Sequence, residues 1–587
     1  MIMTKFALLF VSVVLLFPAI WAQESVEIPI NTVSQRERQF LDGMWNVRYA
    51  PFNDKGNAKL SLGPEGEADP NFMDRLLVPK DWNTQAEKLY YFEGAVFYKR
   101  HFKVAKEAGK KYFLHFGAAN YEAEVYLNGE TIGNHIGGFT PFAFEVGDQL
   151  KSGNNILVVR VSNVRKKEAI PTLRFDWWNY GGLTRSVSLV AVPEVFIKDY
   201  AIGLDPKQPS VIQGWVQLSN SQGQQAVNLN IPGLRIEKTL RTDSKGRAHF
   251  SVTSKKVRKW SPEDPFRYEV NLTTDTDSLT EAIGFRTITV NGGDILLNGK
   301  KLFLKGINLH EEAPMGGGRI AHASDARTLL SWAKELGCNL VRLAHYPHNE
   351  LMVREAEKMG LMVWEEIPVY WNIDFENEAS FKNADRMLRE TIIRDRNRAS
   401  VVLWSVANET RESEARQNYL KKLLQTVNEL DNTRLTTAAI EAYKVVDGVR
   451  VINDVIAAEL DVIGINCYCG WYFNKPSDCP DMGWQVDFNK PVIFSEFGAG
   501  ALQGHYGGKD EKWTEDYQEE VFKYNLEMVE KQMPFVDGMT PWLLMDFRSP
   551  IRPNRLIQND YNRKGLISEQ GIKKKAFYTL QEYYSKK

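Results

Sequence analysis

Two glutamates lie at the ends of apolar runs and could act together as a pair of carboxyl groups. Glu409 follows the run SVVLWSV in LWSVANET, and Glu496 ends the run PVIF in VIFSEFGAG. Cleavage of a glycosidic bond needs one carboxylic acid to protonate the leaving oxygen and one carboxylate to capture the sugar carbon. The acid needs a raised pKa, which a neighbouring carboxylate in a poorly solvated pocket supplies. Either glutamate alone could instead be a solvated charge or half of a salt bridge.

A basic turn, YNRKG at residues 561–565, lies close to the C-terminus. It could be an ordinary solvated turn or a binding site for a negatively charged ligand, and the motif alone leaves both readings open. A lysine ammonium beside an amide donor makes charge-assisted hydrogen bonds with a carboxylate. The elements around the turn decide between the two readings.

The C-terminal half alternates short apolar strands with amphipathic helices, which is the pattern of βα units in a parallel sheet. The strands are predicted at residues 302–308, 339–345, 361–367, 400–406, 434–440, 461–467, 491–497 and 539–547. Eight strands with intervening helices over residues 293–587 predict a (β/α)8 TIM barrel. The first helix, SDARTLLSWAKELG, has Ser324 as its expected cap and ends at Gly337. Active sites of TIM barrels lie at the carboxyl ends of the strands, so both glutamates and the basic turn are expected on one rim.

Two β-rich regions and a leader precede the barrel. Residues 23–193 contain alternating strands such as AVFYKRHFKV and NNILVVRVSN, which predict a jelly-roll-like β-sandwich, and residues 194–292 fit one immunoglobulin-like β-sandwich. Residues 1–22 have a lysine, an apolar run and a final alanine, the layout of a secretory signal peptide. We therefore expect an exported protein, periplasmic or secreted, with no membrane attachment after cleavage; a membrane anchor is the alternative.

Composition and cysteine usage exclude some classes of partner. The chain has 73 basic and 74 acidic residues, so no overall field attracts nucleic acid, and a charged ligand must be bound by local groups. Four cysteines are too few for a disulfide scaffold. Cys338 fits a buried small hydrophobe. Cys467, Cys469 and Cys479 cluster near one loop, where one pair could form a disulfide in an oxidising compartment; a zinc site is the alternative, but no paired histidine supports it.

The motifs together resemble glycoside hydrolase family 2. ANE after strand 4 and SEFG in strand 7 resemble the acid/base and nucleophile motifs of this retaining family. VYLNGETIGNHIGGFTPF and DWWNYGGLTRSV resemble its sugar-binding sandwich, and FLKGINLHE and VRLAHYPH resemble its first barrel strands. The resemblance covers nearly the whole chain and implies that Glu409 is the acid/base and Glu496 the nucleophile. Two carboxyl groups suffice for this reaction, so neither a metal nor a cofactor is expected; a homo-oligomer is left open.

The resemblance also implies a set of sugar contacts. Asn408 is expected to bind the sugar 2-hydroxyl. The end of strand 6, INCYCGWY, resembles β-glucuronidases and implies contacts from Asn466, Tyr468 and Tyr472. The remaining implied contacts are Asp176 in the first sandwich, His345 at the end of strand 2 and Trp542 on strand 8. The notable structural alternatives are aromatic packing for the tyrosines, a turn or capping role for Asp176, a hydrogen-bonded structural role for His345 and core packing for Trp542.

β-Glucuronidases carry an N-x-K motif after strand 8, and here the motif is Asn562-Arg563-Lys564. The resemblance implies that Asn562 and Lys564 bind the C6 carboxylate of glucuronate and that Arg563 points to solvent. One feature departs from the family: glucuronidases carry an arginine four residues before the asparagine, where this chain has Gln558, and arginines such as Arg552 lie farther back.

The sequence therefore predicts a retaining, exo-acting β-glucuronidase that hydrolyses terminal β-D-glucuronic acid from glycosides or oligosaccharides. The segment after strand 3, from Pro368 to the helix near Ser380, is short, which favours an open site suited to glucuronate-capped oligosaccharides. A β-galactosidase or β-galacturonidase of the same family is the alternative enzyme. The alternative from another class is a non-catalytic carbohydrate-binding protein.

Overall fold

The computed structural model describes residues 28–50, 72, 74–220, 223–441 and 443–587. The signal peptide expected at residues 1–22 lies outside the described residues. None of the described helices is both long and apolar enough to cross a membrane.

The first β region consists of two antiparallel sheets that share one core. Its strands are β1 Gln39–Phe40, β2 Gly43–Ala50, β3 Asp74–Val78, β4 Ala95–Val104, β5 Lys110–Phe116, β6 Glu122–Leu127, β7 Glu130–Ile136, β8 Phe142–Glu145, β9 Gly153–Ser162 and β10 Val187–Pro193. One sheet has the order β3-β2-β4-β9-β6-β7 and the other β1-β10-β5-β8. Alternate residues of β6 are buried because a strand presents successive side chains to opposite faces. The connection from β9 to β10 runs to the barrel and carries Asp176.

The second β region is a smaller antiparallel sandwich. Its strands are β11 Ile197–Leu204, β12 Val211–Leu218, β13 Ala226–Ile231, β14 Ile236–Arg241, β15 Arg247–Thr253, β16 Tyr268–Thr273 and β17 Ser278–Ile283. The sheets β11-β12-β15 and β14-β13-β16-β17 enclose a core that includes Val216, Leu229 and Leu272. A small sheet of β18 Ile288–Asn291, β19 Asp294–Leu297 and β20 Lys300–Lys301 leads into the barrel. The prediction of β-sandwiches before the barrel is confirmed.

Eight parallel strands then close into a barrel, as predicted. In chain order they are β21 Leu304–Leu309, β22 Leu340–Leu343, β23 Met362–Glu366, β24 Val401–Asn408, β25 Leu435–Ile440, β28 Val462–Asn466, β30 Val492–Glu496 and β31 Val536–Met539. Short extra strands are β26 Tyr443–Val446, β27 Val449–Ile452, β29 Trp484–Val486, β32 Phe547–Arg548 and β33 Tyr561–Asn562. All residues of β23, β24, β28 and β30 are buried, because one face fills the barrel and the other is covered by surrounding structure.

The helices surround this barrel unevenly. They are α1 Ala323–Glu335, α2 Glu350–Met359, α3 Glu378–Asp395, α4 Glu414–Leu430, α5 Glu515–Gln532 and α6 Lys575–Lys586. The predicted alternation is wrong after strands 5 and 6, where the described chain has the short 3-10 turns Val455–Ala458 and Pro476–Asp481 instead of α-helices. Pro480 lies inside the second turn and lacks a backbone donor, so this segment does not continue as an α-helix.

The predicted bounds of strand 8 are wrong. β31 ends at Met539, whereas the apolar run continues to residue 547. Pro541 cannot donate to a strand ladder, and beyond it the backbone N–H of Leu543 donates to the carbonyl of Lys564 at 3.3 Å. The run is buried as a loop beneath the C-terminal segment, so apolar character alone misidentified it as a strand.

The predicted cap of the first helix is also wrong. α1 begins at Ala323, which places Ser324 inside the first turn. The carboxylate of Asp325 accepts the backbone N–H of His322 at 3.2 Å and satisfies a donor at the helix start. Gly337 follows the helix with a φ of 94°, the left-handed conformation that favours glycine.

Candidate active site

The two glutamates lie on the same rim of the barrel. Glu409 directly follows β24, and Glu496 is the last residue of β30. Asn466, the last residue of β28, donates from Nδ2 to Glu409 Oε1 at 2.9 Å and is the register partner of Glu496 in the pairing of β28 with β30. Asn466 therefore links the ends of strands 4, 6 and 7, and both carboxyl groups belong to one site.

Glu409 has the electrostatics of a proton donor. Its Oε1 accepts from Asn466, and its Oε2 accepts from Trp371 Nε1 at 2.8 Å. Burial, followed by the negative charges of Glu496 and Glu441, raises the pKa of Glu409 to about 8, although both hydrogen bonds act in the opposite direction. At neutral pH this carboxyl group therefore carries a proton that it can give to a bound ligand.

Glu496 accepts hydrogen bonds at both of its oxygens. Arg342 Nη1 donates to Oε1 at 2.9 Å, and the hydroxyl of Tyr468 donates to Oε2 at 2.7 Å. Arg342 is fully buried on β22. The guanidinium and the phenol fix the direction of this carboxylate.

Asn408 presents an unpaired amide donor. Its Oδ1 accepts from Arg342 Nη2 at 2.7 Å and from Asn466 Nδ2 at 3.3 Å, which fixes the orientation of the amide. The residue is 2% exposed, and its Nδ2 has no hydrogen-bond partner in the part of the chain that the structure describes. Because a buried donor without a partner is costly, this Nδ2 is suited to a ligand hydroxyl.

Asp176 belongs to the first sandwich and contacts the segment that contains the basic turn. Its Oδ1 accepts from Ser549 Oγ at 2.6 Å and from Arg552 Nε at 3.1 Å. Its Oδ2 accepts from Asn562 Nδ2 at 3.1 Å and from Arg552 Nη2. The sandwich and the barrel therefore contribute jointly to one polar cluster beside the Asn-Arg-Lys turn.

Lys564 is a buried ammonium without a carboxylate partner. The residue is 4% exposed, and its Nζ donates to the hydroxyl of Tyr472 at 2.8 Å. The ring centroids of Tyr468, Trp471 and Tyr472 lie 5.1, 5.7 and 4.9 Å from Nζ. No carboxylate among the described residues lies within ion-pair distance of it. Burial favours a high pKa for the Tyr472 hydroxyl, but the nearby charges of Lys564 and Arg552 outweigh it and lower that pKa.

Both parts of this assembly match one family of enzymes. Residues 288–587 match the model of the TIM barrel domain of glycosyl hydrolases family 2, and residues 40–193 match the model of its sugar binding domain. The chain belongs to glycoside hydrolase family 2. It is therefore a hydrolase of O-glycosyl bonds.

The proteins that are similar to this chain include several β-glucuronidases. The human β-glucuronidase is 28% identical over 94% of this chain and 91% of that protein, and the Paenibacillus borealis β-glucuronidase is 28% identical over 93% and 96%. The solved structure of the Dictyoglomus thermophilum β-D-glucuronidase has a TM-score of 0.78 at 26% identity and covers 94% of this chain and 98% of that one. A β-galacturonidase from Eisenbergiella tayi shares the fold with a TM-score of 0.81 at 24% identity.

Two further residues that were predicted for the site, His345 and Trp542, contact each other. The rings of His345 and Trp542 stack with centroids 4.8 Å apart, and His345 Nδ1 lies 2.8 Å from Glu366 Oε1. Both rings are almost fully buried. Trp542 is on the loop after strand 8 rather than on the strand, but the structure still brings it to the rim.

Sequence reasoning missed three residues of the site. Arg342 joins Glu366, Glu496 and Asn408 through its guanidinium, and an arginine inside the apolar strand NLVRLAH was a visible signal. Trp371 contacts Glu409 from the loop after strand 3, and nothing in its sequence surroundings marks it. Arg552 was noted only as a distant arginine, whereas it holds Asp176 beside Asn562.

The prediction that Arg563 points to solvent is wrong. Arg563 is 5% exposed, and its Nη1 pairs with Asp546 Oδ2 at 3.3 Å and with Glu569. Arg563 therefore has different partners from Lys564, whose Nζ donates to Tyr472. One of these partners, Glu569, belongs to the chain that leads into α6.

The cysteines and candidate metal ligands are also defined by the fold. Cys469 and Cys479 form a disulfide, Cys338 has a free thiol, and Cys338 and Cys467 are both buried. Sulfur atoms in a disulfide are not thiolates, so these two cysteines are not zinc ligands. The described residues contain no group of three or more histidine, cysteine, aspartate or glutamate side chains able to hold a metal ion.

Proposed function

We propose that this family 2 hydrolase is a retaining, exo-acting β-glucuronidase that releases terminal β-D-glucuronic acid. The observation that carries the proposal is the buried ammonium of Lys564, for which the described residues provide no counter-charge. Burial of an unpaired charge costs several kcal/mol. A uronic acid supplies the missing carboxylate, and the β-glucuronidases among its relatives agree with this substrate class.

The carboxylate of the sugar would lie between Lys564, Asn562 and Tyr472. A lysine ammonium and a carboxylate form a charge-assisted bond, which is stronger than a bond between neutral groups. A neutral hydroxymethyl group would leave the cation unpaired among the rings around it. The site would therefore discriminate against galactosides and glucosides mainly by the cost of that unpaired charge.

The two glutamates divide the chemistry. Glu409 donates its proton to the leaving oxygen, while Glu496, held by Arg342 and Tyr468, attacks the anomeric carbon and forms a glycosyl-enzyme. Formation of that bond removes the negative charge of Glu496, so the pKa of Glu409 falls and Glu409 can accept a proton from water in the second step. The free Nδ2 of Asn408 binds the 2-hydroxyl.

The remaining residues of the site define the shape of the sugar pocket. Asp176 binds a sugar hydroxyl while Arg552 and Ser549 hold its carboxylate in place. Trp542, which stacks against His345, presents its apolar face to the sugar ring. Asn466 donates a hydrogen bond to Glu409 and so acts on the substrate indirectly, through that carboxyl group.

We further propose that the natural substrate is a glucuronate-terminated oligosaccharide. The chain passes from β23 to α3 in a short segment, residues 367–377, and a short segment favours an open site. The test is kinetic: kcat/KM for glucuronate-terminated oligosaccharides should exceed that for a small aryl glucuronide. A much faster turnover of the aryl glucuronide would contradict this part of the proposal.

Export is part of the same proposal. The Cys469–Cys479 disulfide favours an oxidising compartment, in agreement with the leader expected at residues 1–22. The mature protein from the native host should start near residue 23 and be found outside the cytoplasm. An N-terminal sequence that begins at Met1 would contradict it.

The main experiment is a panel of aryl β-glycosides that differ only at C4 and C6. We expect the glucuronide to be cleaved fastest, with release of the β-anomer first by NMR, and we expect Glu409→Gln and Glu496→Gln to abolish turnover while sugar binding persists. A galacturonide or galactoside that reacts faster would identify one of the alternative enzymes. Sugar binding by the wild type without turnover of any glycoside would identify a non-catalytic binding protein.

A further inference from the structure

Trp371 contacts Glu409 through a bond that its own backbone geometry makes possible. The indole Nε1 donates to Glu409 Oε2 at 2.8 Å. Trp371 has a φ of 56° and Glu409 a φ of 49°, both in the left-handed region that residues other than glycine rarely adopt. Such a conformation costs on the order of 1–3 kcal/mol per residue and persists where the surroundings enforce it. Two strained residues that direct their side chains at each other therefore indicate a functional arrangement.

The backbone enforces this arrangement from two sides. Trp371 N donates to Asn408 O at 3.1 Å, and Asn408 N donates to Val369 O at 2.9 Å, so the chain after β23 is tied to the end of β24. The next residue, Asn372, accepts at its carbonyl from Thr172 Oγ1 of the first sandwich at 2.9 Å. The sandwich and the barrel strand together fix the position of the indole.

We propose that Trp371 is a positioning residue that sets the orientation and protonation of the acid/base Glu409. The inference rests on the proposed function, because it assumes that Glu409 exchanges a proton with the substrate. The indole occupies the Oε2 side, opposite the Asn466 amide on Oε1. A donor to each oxygen stops the carboxyl group from rotating about its last bond and holds it toward the leaving oxygen.

The hydrogen bond from Trp371 determines in which direction the indole changes the pKa of Glu409. An N–H donor stabilises the carboxylate more than the carboxylic acid, so the indole lowers the pKa of Glu409 from the value that burial alone would produce. The other titratable or charged groups that act on Glu409 are Glu496, Glu441, Tyr370 and Tyr468. None of these four donates a hydrogen bond to it, so the indole and the Asn466 amide are the donors through which the described residues moderate its pKa.

Trp371→Phe is the test, because it keeps the ring and removes the N–H. We expect the alkaline limb of kcat/KM to move up by about one to two pH units, since a hydrogen bond to a charged group contributes about 1.5–3 kcal/mol and one pKa unit corresponds to 1.36 kcal/mol. We also expect kcat/KM at pH 7 to fall about tenfold for glycosides with poor leaving groups and to change little for dinitrophenyl glycosides, which need little protonation.

Trp404→Phe is the matched control. Trp404 lies on β24, the strand that precedes Glu409, and its Nε1 donates to the Asp431 carboxylate at 2.9 Å on the side away from the site. This variant should lose stability without any change of the pH profile. Activity of Trp371→Phe on the dinitrophenyl glycoside, together with its melting temperature, shows that the variant is folded.

The possible outcomes separate the inference from the proposed function. If Glu409→Ala keeps its rate on poor leaving groups and is not rescued by azide, Glu409 is not the acid/base and the proposed function fails. If Glu409→Ala behaves as expected but Trp371→Phe has the wild-type alkaline limb, only the role of Trp371 is overturned. A shift of the same size in Trp404→Phe would also overturn it, because the effect would then be structural.

Discussion

Two buried lysines in the C-terminal segment illustrate the difference between a structural cation and a proposed binding cation. Lys574 is 0% exposed, and its Nζ lies 2.9 Å from each oxygen of Asp546. It also donates to the carbonyls of Ala501 and Arg563 at 2.8 and 3.2 Å. Lys564 is 4% exposed, yet its ammonium has one hydroxyl and three aromatic rings as neighbours and no carboxylate among the described residues.

The ammonium of Lys574 stabilises the fold, whereas the ammonium of Lys564 is available to a ligand in the proposed function. An ammonium with three protons and a paired carboxylate is satisfied, so Lys574 fixes the chain before α6. An ammonium with one acceptor retains unused hydrogen-bonding capacity that a ligand can fill. Burial alone does not distinguish the two lysines, and composition does not either; the partners do.

Removal of the structural cation should have the largest effect on stability. Lys574→Met leaves Asp546 buried with less compensation, which should lower the free energy of unfolding by about 3–5 kcal/mol. Urea denaturation measures this change. Lys564→Met is the matched control and should unfold at the wild-type urea concentration or above it, because no carboxylate loses a partner. Equal destabilisation of both variants would contradict the comparison.

Removal of the binding cation should have the largest effect on activity. Lys564→Met should lower kcat/KM for an aryl glucuronide about 100- to 1,000-fold, since truncating one partner of a buried charge pair costs about 2–5 kcal/mol. The slow rate on the matching glucoside should be unchanged or increased. An unchanged ratio of the two rates would show that Lys564 does not select the uronic acid.

Loss of the disulfide should lower the stability and disturb the surroundings of Lys564. The Cys469–Cys479 bond closes a loop that contains Trp471 and Tyr472, two of the three rings around the ammonium. The double Cys469→Ser/Cys479→Ser variant should lose about 2–3 kcal/mol of stability by loop entropy and raise KM for the glucuronide.

Wild type and Cys338→Ala should both respond to a reductant in urea unfolding, whereas the double cysteine variant should not. Cys338 is buried and free, so it controls for the loss of a sulfur atom. A wild type whose unfolding midpoint is insensitive to reductant would indicate that the bond is not formed in solution.

Tyr472→Phe should have a smaller effect on the same cation. It removes the hydroxyl that accepts from Lys564 at 2.8 Å but keeps the ring. A typical hydrogen bond contributes about 1 kcal/mol, so kcat/KM for the glucuronide should fall about fivefold. A loss as large as that of Lys564→Met would show that the hydroxyl, rather than the ammonium, makes the main contact.

The pH profile should separate binding from proton transfer. In the proposed mechanism Glu409 must carry its proton, so kcat/KM should fall as the pH rises through about 8. The alkaline limb of this pH profile should be unchanged in Lys564→Met, because the charges that act on Glu409 are those of Glu496 and Glu441. A displaced limb in that variant would show that the two parts of the site are coupled.

Stability should respond to the same group in a defined direction. Between its ordinary pKa of 4.5 and about 8 the unfolded chain has released the proton of Glu409 while the folded chain keeps it, so this group makes the free energy of unfolding fall as the pH rises. Glu409→Gln should remove that slope and be relatively more stable at alkaline pH. An identical pH dependence in both proteins would contradict the raised pKa.

The barrel and the positions of both glutamates were predictable because they depend on local patterns. The alternation of apolar runs and helices predicted eight parallel strands, and strand ends in a barrel share one rim. The prediction was wrong where tertiary packing gives an apolar run a different structure from the one its local pattern indicates. The run after Met539 is an example, because it is buried as a loop and not as a strand. The prediction was also wrong for Arg563, whose exposure depends on the segment that covers it.

The amino-acid sequence by itself determined the family, the order of the sandwiches and the barrel, and the two carboxyl groups at the ends of strands 4 and 7. Only the tertiary structure decided which buried lysine has a carboxylate, that Arg342 orients Glu496, and that Trp371 contacts Glu409. The physical reason is range: periodicity and turn chemistry act over a few residues, whereas these contacts join residues far apart in the chain. Their distances depend on strand register and side-chain packing, which a linear pattern does not encode.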